Sequence, residues 1–253
     1  LNMDYNLDLK DRKLLYELDL DSRQSINKLA KKLKLSKTAV TYRINQLQKE
    51  EIIKKFHAVV DTGKLGYIGF RLYLKLQNTS PEKEKEIINF LENKEQIVWV
   101  VSIEGDYDLG CLILVKHVKE MNLIWKELLK KYVNYIDRRF LAIMTKVSYF
   151  SRAYFINLDK NTYEISFITE PEEIKLDDKD KLILKLLVDN SRKPIIEIAS
   201  KIHLTPKTVI ERIKKLETNK IIVAYKTLFD LEKLGYHYFK VFLNLNNITK
   251  EKE

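Results

Sequence analysis

Apolar residues recur at helical spacing in three consecutive segments near the start of the chain. Leu14, Leu15 and Leu18 predict one face of a first helix. Ser25 and Ser36 precede two further runs with the same period, and a serine at each place is suited to cap a helix N-terminus. The apolar positions of these two runs are Ile26, Leu29, Ala30 and Leu33, then Val40, Ile44 and Leu47. The pattern predicts three helices followed by an extended wing.

The same pattern returns later in the chain at a fixed offset of 169 residues (191 − 22 = 169). The repeated residues of the first copy are Leu7, Asp8, Lys10, Asp11, Ser22, Arg23, Ala30, Arg43, Ile44 and Leu47. Their counterparts are Leu176, Asp177, Lys179, Asp180, Ser191, Arg192, Ala199, Arg212, Ile213 and Leu216. The correspondence continues without a gap to Leu65-Gly66-Tyr67 and Leu234-Gly235-Tyr236. Because a repeat this long is a whole folded module, we predict two winged helix-turn-helix units.

Residues 69–149, between the copies, change to the alternating pattern of half-buried strands. A strand through Phe70 and Leu72 is followed by a helix that opens at Pro81. Two strand-like runs, residues 97–103 and 109–115, then a helix from Met121 to Tyr132 and a last strand over 140–149 complete the segment. The order β-α-β-β-α-β predicts a ferredoxin-like sheet with both helices on one face. We expect the bare face to pair with a second copy.

The predicted fold class is α+β, with five parts along the chain. They are a winged helix-turn-helix over 1–66, a ferredoxin-like module over 67–150, a linker over 151–174, a second winged helix-turn-helix over 175–235, and the first strand of a second ferredoxin-like module over 236–253. A lone strand cannot form a stable sheet. Either the natural protein continues beyond Glu253, or this segment pairs with another chain.

Positive charge is concentrated on the repeated modules. The chain has 46 Lys and Arg against 36 Asp and Glu, a net charge of +10. Residues 22–57 contain ten Lys/Arg and two Glu, and residues 191–226 contain nine Lys/Arg and three Glu, so these windows sum to +14 (8 + 6) and the remainder is −4. Binding to the phosphates of double-stranded DNA requires such a distribution. The alternative is a winged helix used for protein contact, with the lysines as a solvated face.

The third helix of each copy carries the candidate DNA contacts, because its core positions leave the other face outward. In the first copy they are Ser36, Lys37, Thr38, Thr41, Tyr42, Arg43 and Asn45, with Lys54 in the wing. In the second copy they are Thr205, Lys207, Thr208, Glu211, Arg212 and Lys214. Thr, Tyr and Asn suit base edges, and Lys and Arg suit phosphates. Because Glu211 replaces Tyr42, we predict that the two heads do not read identical sequences.

Other functional classes find little support in the sequence. A single cysteine, Cys111, excludes an intrachain disulfide and is consistent with a cytoplasmic location. No apolar run is long enough to span a membrane. The four histidines lie too far apart in sequence to suggest a metal site. No phosphate-cradling glycine loop or nucleophile motif is present, so we predict no catalytic residues, no metal and no cofactor.

The motifs together resemble the leucine-responsive regulatory protein/AsnC family, the feast/famine transcription regulators. The residues that carry the likeness are Leu7-Asp8, Asp11, Ser22-Arg23 and Arg43-Ile44 in the head, with Gly105-Asp106-Tyr107-Asp108-Leu109 in the module. The doubled layout is similar to archaeal members with two units in tandem. The resemblance implies a DNA-binding regulator that forms a homodimer or a higher oligomer through its sheet. It also implies an amino-acid effector at Gly105, Asp106, Tyr107 and Asp108, and a plain hairpin turn is the alternative for this loop.

Two departures from the family pattern stand out. Glu51 and Lys220 replace the glycine that usually precedes the paired isoleucines, so the third helix of each head must end without that permissive residue. The second module also stops after its first strand. The architecture is similar to that of siroheme decarboxylases as well, but the His- and Arg-bearing strand of those enzymes corresponds here to residues 102–108, which lack both. A winged-helix adaptor that binds proteins rather than DNA is the third alternative.

Overall fold

The computed structural model describes residues 7–157 and 163–243. The first head consists of α1 (Leu9–Leu20), α2 (Ile26–Leu33), α3 (Lys37–Lys49) and β1 (Ile53–Val60). Side chains cap the N-terminus of each helix: Asp8 accepts from the Asp11 N–H, Ser25 from the Lys28 N–H and Ser36 from the Ala39 N–H. Local sequence therefore sets where each helix begins.

The segment between the heads is the predicted ferredoxin-like module. It consists of β2 (Ile68–Leu76), α4 (Pro81–Glu92), β3 (Ile97–Ser102), β4 (Leu109–Val115), α5 (Val118–Tyr132) and β5 (Ile136–Ile143). The antiparallel sheet has the order β3-β4-β2-β5, and both helices pack on one face. Alternate residues of β2 such as Leu72 and Leu74 face Ile87 and Leu128 of the helices in a shared core.

The final strand predicted over residues 140–149 is instead two strands. β5 ends at Ile143, and β6 (Lys146–Phe150) forms a separate hairpin with β7 (Glu164–Ile168). The ladder of β2 and β5 ends at Phe70 and Ile143, and the Met144 N–H still donates to the Gly69 carbonyl at 2.8 Å. The Thr145 carbonyl then accepts from the Thr169 N–H at 2.9 Å, so the chain turns from β2 to β7 at this point. The segment predicted as a linker, 151–174, therefore contains a strand.

The second head consists of α6 (Asp178–Asp189), α7 (Ile195–Ile202), α8 (Pro206–Thr218) and β8 (Ile222–Phe229). β1 and β8 pair with each other as an antiparallel two-stranded sheet, so the wing strand of each head is bound to the other head. Phe229 of the second head lies in the core of the first, and Ala58 of the first lies in the core of the second. Phe155, which follows the central module, also fills the core of the first head.

The strand predicted from residue 236 onward is not formed in its described part, residues 236–243, and residues 244–253 lie outside the described residues. The exposure of its side chains alternates only from Phe239 onward. Phe239, Val241 and Leu243 are at least three-quarters exposed, whereas the Phe242 ring lies 4.9 Å from that of Tyr73 on the helix-free face of the sheet. The face that we expected to be bare is therefore partly covered by the chain itself.

Candidate nucleic-acid interface

α3 presents its outer face to solvent because its inner face is fixed in the core of the first head. Val40, Ile44 and Leu47 are buried. The predicted contacts on the opposite face are all exposed, and they are Lys37, Thr38, Thr41, Tyr42 and Asn45. Tyr42 keeps 62% of its surface exposed. A large aromatic residue exposed to this extent on a helix contributes little to the fold, so it is available for a partner.

α8 presents a different set of side chains in the same way. Lys207, Glu211 and Lys214 are exposed, while Thr208 is half-buried with its hydroxyl 2.8 Å from that of the capping residue Thr205. Ile210 is 42% exposed at the position equivalent to Thr41. Sequence reasoning missed Ile210 because an apolar residue in an amphipathic helix is first assigned to the core.

The N-terminal turns of α3 and α8 contain no acidic residue, unlike those of α1 and α6. Free N–H groups and the helix dipole give a helix N-terminus a partial positive charge. In α1 and α6 nearby carboxylates oppose that charge. In α3 and α8 it remains available to an anion such as a DNA phosphate.

Arg43 and Arg212 do not point outward as predicted. Nη1 of Arg43 lies 2.8 Å from Oδ2 of Asp8 and 2.6 Å from Oδ1 of Asp11, at the start of α1. Arg212 makes the equivalent pairs in the second head, both at 2.7 Å. The guanidinium groups therefore tie each third helix to the first helix of its own head. This geometry supports a role in folding and does not support phosphate contact by either arginine.

Lys54, the predicted wing contact, bridges the two heads. Its Nζ lies 2.8 Å from Oδ2 of Asp230 in the segment after β8. Hydrogen bonding to Lys54 lowers the pKa of Asp230. The charge of Lys54 is therefore shared with a carboxylate, although its side chain remains half exposed.

The two heads meet about a local twofold axis. In the ladder of β1 and β8, His57 lies opposite Lys226, and these residues occupy equivalent positions in the repeat. Ser22 and Ser191, also equivalent, share a hydrogen bond of 2.7 Å between their buried hydroxyls. Equivalent residues that contact each other must lie on the axis that relates the copies, so the interface is isologous.

Contacts away from this axis occur in matched pairs. The N–H groups of Ser22 and Ser191 each donate to a carbonyl of the other head's strand, at 2.9 and 3.0 Å. The Arg23 guanidinium donates to the Ser191 carbonyl, and the Arg192 guanidinium donates to the Ser22 carbonyl. These reciprocal hydrogen bonds fix the orientation of one head relative to the other.

Asp19, in the last turn of α1, connects the first head with β8 of the second head and with the segment after β6. Its fully buried carboxylate accepts hydrogen bonds from the Arg152 guanidinium and, at 2.7 Å, from the Arg152 N–H. Its carbonyl accepts from Nζ of Lys226 at 2.9 Å, and burial lowers the pKa of Lys226. The second head has Val188 at the position equivalent to Asp19. The contacts of the Asp19 side chain therefore depart from the symmetry of the repeat.

The predicted effector loop lies between β3 and β4. Gly105 has a φ of 132°, which residues with a side chain rarely adopt. The Asp108 carboxylate accepts hydrogen bonds from Lys75 Nζ at 2.7 Å and from the Leu76 N–H at 2.6 Å. Burial disfavours the charged form of Asp108, but these bonds outweigh it and lower the pKa. Asp106 is exposed, and the Tyr107 ring packs against aromatic side chains of the sheet.

A cavity of about 490 Å³ opens beside this loop. Its wall contains one ammonium group and three carboxylates, and the lining residues are Lys75, Leu76, Thr79, Glu84, Ser102, Ile103, Glu104 and Asp108. Lys75 and Asp108 are already paired with each other. Glu84 and Glu104 are therefore the carboxylates of this wall that can hold a ligand ammonium group, which sequence reasoning did not identify.

The remaining candidates for chemistry are inert or dispersed. Burial raises the pKa of the Cys111 thiol to about 12, so the thiol stays protonated at neutral pH. Among the described residues, no group of three or more His, Cys, Asp or Glu side chains is arranged to hold a metal ion. Within the described ranges, every helix is too short or too polar to cross a bilayer.

Comparison with known proteins identifies both heads. Residues 7–54 match the winged helix-turn-helix DNA-binding domain, and residues 176–217 match the AsnC-type helix-turn-helix domain. Over 116 residues the chain is 31% identical to the HTH-type transcriptional regulator FL11 of Pyrococcus horikoshii, covering 46% of this chain and 76% of FL11. It is 29% identical over 133 residues to the HTH-type transcriptional regulator Ptr1 of Methanocaldococcus jannaschii, covering 51% of this chain and 85% of Ptr1.

A likeness in fold extends over most of the chain. The crystal structure of the siroheme decarboxylase NirDL matches with a TM-score of 0.58, covering 87% of this chain and 65% of NirDL. The sequence identity is 14%. At that level the match shows a shared arrangement of folded parts and carries no information about chemistry.

Proposed function

Because this chain belongs to the leucine-responsive regulatory protein/AsnC family of transcription regulators, we propose that it binds double-stranded DNA through the outer faces of α3 and α8. The observation that carries the proposal is the exposure of Tyr42 and its neighbours on α3, whose opposite face is buried in the core of the first head. Thr41, Tyr42 and Asn45 have hydroxyl and amide groups that suit base edges. Lys37, in the first turn of α3, suits a phosphate.

The test is fluorescence-anisotropy binding of the full chain to its own upstream DNA and to a scrambled duplex, over a salt series. We expect tighter binding to the upstream duplex and an affinity that falls steeply with salt, since neutralising phosphates releases counterions. Shallow salt dependence would favour the adaptor instead. Equal affinity for both duplexes, falling steeply with salt, would indicate DNA binding without recognition of a sequence.

Two matched substitutions separate base reading from phosphate contact. Tyr42→Ala should reduce the preference for the upstream duplex, whereas Lys37→Ala should weaken binding to both duplexes alike and reduce the salt slope by about 1. Lys126→Ala, an exposed lysine on α5, is the control for loss of charge alone. If Lys126→Ala weakened binding as much as Lys37→Ala, the assignment of α3 would be wrong.

We propose further that the cavity beside the effector loop takes a small amino acid. Glu84 and Glu104 would hold its ammonium group, since Lys75 and Asp108 are paired with each other. Calorimetric titration with single amino acids tests this, and Glu84→Gln should weaken binding of a true ligand by tenfold or more because a charged hydrogen bond is lost. Lack of binding by any amino acid would leave the loop as a hairpin turn.

The regulator is preferred over the enzyme because the named relatives, FL11 and Ptr1, are transcriptional regulators. The fold likeness to NirDL at 14% identity does not favour tetrapyrrole chemistry. Association into a homodimer or a higher oligomer, and a cytoplasmic location, stay predictions of the sequence.

A further inference from the structure

The two recognition helices agree at their inner positions and differ at their outer ones. The inner pairs are Val40 and Val209, Ile44 and Ile213, Leu47 and Leu216, and the helix-tying Arg43 and Arg212. The outer pairs are Thr38 and Lys207, Thr41 and Ile210, Tyr42 and Glu211, and Asn45 and Lys214. All eight outer side chains are exposed. The repeat has therefore kept the residues that fold the helix and changed those that meet a partner.

These outer differences change which bases each helix suits. Asn45 is an amide that can pair with adenine, while Glu211 accepts hydrogen bonds, as from the amino group of cytosine. Glu211 also repels phosphates. Ile210 offers an apolar contact suited to a thymine methyl group, where the first head has the hydroxyl of Thr41. The two heads suit unlike half-sites.

The heads are held together within one chain. The twofold axis passes between Ser22 and Ser191, whose hydroxyls are buried. Phe229 and Ala58 each lie in the core of the opposite head, so separating the heads would expose both cores. The pair of recognition helices therefore has one fixed orientation and one fixed separation.

We propose that one chain is a complete two-headed reader of a non-palindromic DNA site, composed of two unlike half-sites in a fixed order and at a fixed spacing. The proposal rests on the proposed function. A twofold pair of helices enters successive major grooves about 34 Å apart, or a multiple of that, and the symmetry of the site mirrors that of the protein. In this chain the twofold axis relates the backbones of the two heads, but the outer side chains of α3 and α8 differ. The bound site therefore lacks the palindrome that two identical heads would select.

The experiment is selection of duplexes from a randomised pool by the full chain, followed by measurement of the stoichiometry on the selected duplex by sedimentation velocity. We expect a non-palindromic motif and one chain per duplex. Inverting one half-site should weaken binding by about tenfold or more, since several base contacts are lost. Inserting five base pairs between the half-sites should do the same, because it turns one of them to the opposite face of the DNA.

Substitutions in each head assign the half-sites. Tyr42→Ala should relax the preference in one half-site, and Glu211→Ala should relax it in the other. Both residues are exposed, so neither change threatens the fold. Glu197→Ala, which removes a carboxylate from the first turn of α7 outside the recognition helix, is the control for charge at Glu211.

The outcomes separate this inference from the proposed function. A palindromic motif bound by two chains would overturn the inference and leave DNA reading intact. So would a motif unchanged by Glu211→Ala, since only the first head would then read. Binding without sequence preference, or no binding at low salt, would overturn the proposed function itself.

Discussion

At the scale of single residues, six of the described residues that have a side chain adopt the left-handed backbone that favours glycine, and two of them follow the third helices of the heads. Glu51 and Lys220 follow the third helix of each head and have φ values of 56° and 55°. In this left-handed region the Cβ approaches the carbonyl oxygen, which costs about 1 to 2 kcal/mol. The family resemblance pointed to both positions, and the structure confirms that these residues adopt the conformation that glycine would adopt freely.

Lys220→Gly should therefore stabilise the protein. The relief of strain is offset in part by the greater freedom of glycine in the unfolded chain, leaving a gain of about 0.5 to 1 kcal/mol in the free energy of unfolding. Urea denaturation measures it. Lys220→Ala is the matched control, since it removes the same side chain but keeps Cβ. An equal gain from alanine would mean that the side chain, and not the backbone, is the source.

The repeat itself indicates which polar residues serve the fold. Asp8, Asp11 and Arg43 recur together in the second head, and they are the three members of one ion-pair cluster. Ser22 and Arg23 recur as well, and both lie at the junction of the heads. Polar residues identical in both copies serve the fold. Residues that differ, such as Tyr42 and Glu211, face outward.

At the scale of elements, the joint between α1, the segment after β6 and β8 depends on a buried charge pair. The Asp19 carboxylate is fully buried, and both of its hydrogen bonds described here come from Arg152. Arg152→Ala would leave the carboxylate with the backbone bond alone. Removing one partner of a buried pair costs about 3 to 5 kcal/mol; with the Arg152 side chain 30% exposed, we expect about 2 to 3 kcal/mol.

The control for this prediction is Arg138→Ala. The Arg138 guanidinium lies 3.9 Å from the Asp106 carboxylate, and the two side chains are 54% and 86% exposed. Exposed pairs of this kind contribute about 0 to 1 kcal/mol. Urea denaturation of both variants should therefore show a large loss for Arg152→Ala and a small one for Arg138→Ala. Similar losses would mean that the joint does not depend on the buried pair.

The helices and the order of the elements could be predicted because their signals are local. Capping residues such as Ser25 and Ser36 lie next to the turns that they stabilise, and core residues recur at 3.6-residue spacing. The pairing of β1 with β8 could not be predicted, because it joins segments far apart in the chain and no local pattern specifies a partner strand. The division between β5 and β6 could not be predicted for a related reason, since β5 pairs with β2 and β6 pairs with β7, and no local pattern specifies either partner.

At the scale of the whole molecule, the twofold junction of the heads contains a cluster of cationic side chains around one histidine. His57 is half-buried, and the charged groups that act on it are Lys55, Arg152 and Lys226. Burial, followed by repulsion from these cations, lowers the pKa of His57 below its usual value of about 6.5. At neutral pH the imidazole is therefore uncharged where the head pair and the segment after the central module meet.

The sign of the pH dependence follows from that shift. As pH falls below about 7, the unfolded chain takes up a proton on this imidazole before the folded chain does, so the folded state loses stability. The contribution is at most about 1.4 kcal/mol per pH unit. Urea denaturation between about pH 7 and pH 5 should show a shallower decline for His57→Gln than for the unchanged protein. His237→Gln, at an exposed histidine, is the control and should decline like the unchanged protein. If His57→Gln declined as steeply, acid would act at other groups, and the junction of the heads would not sense pH.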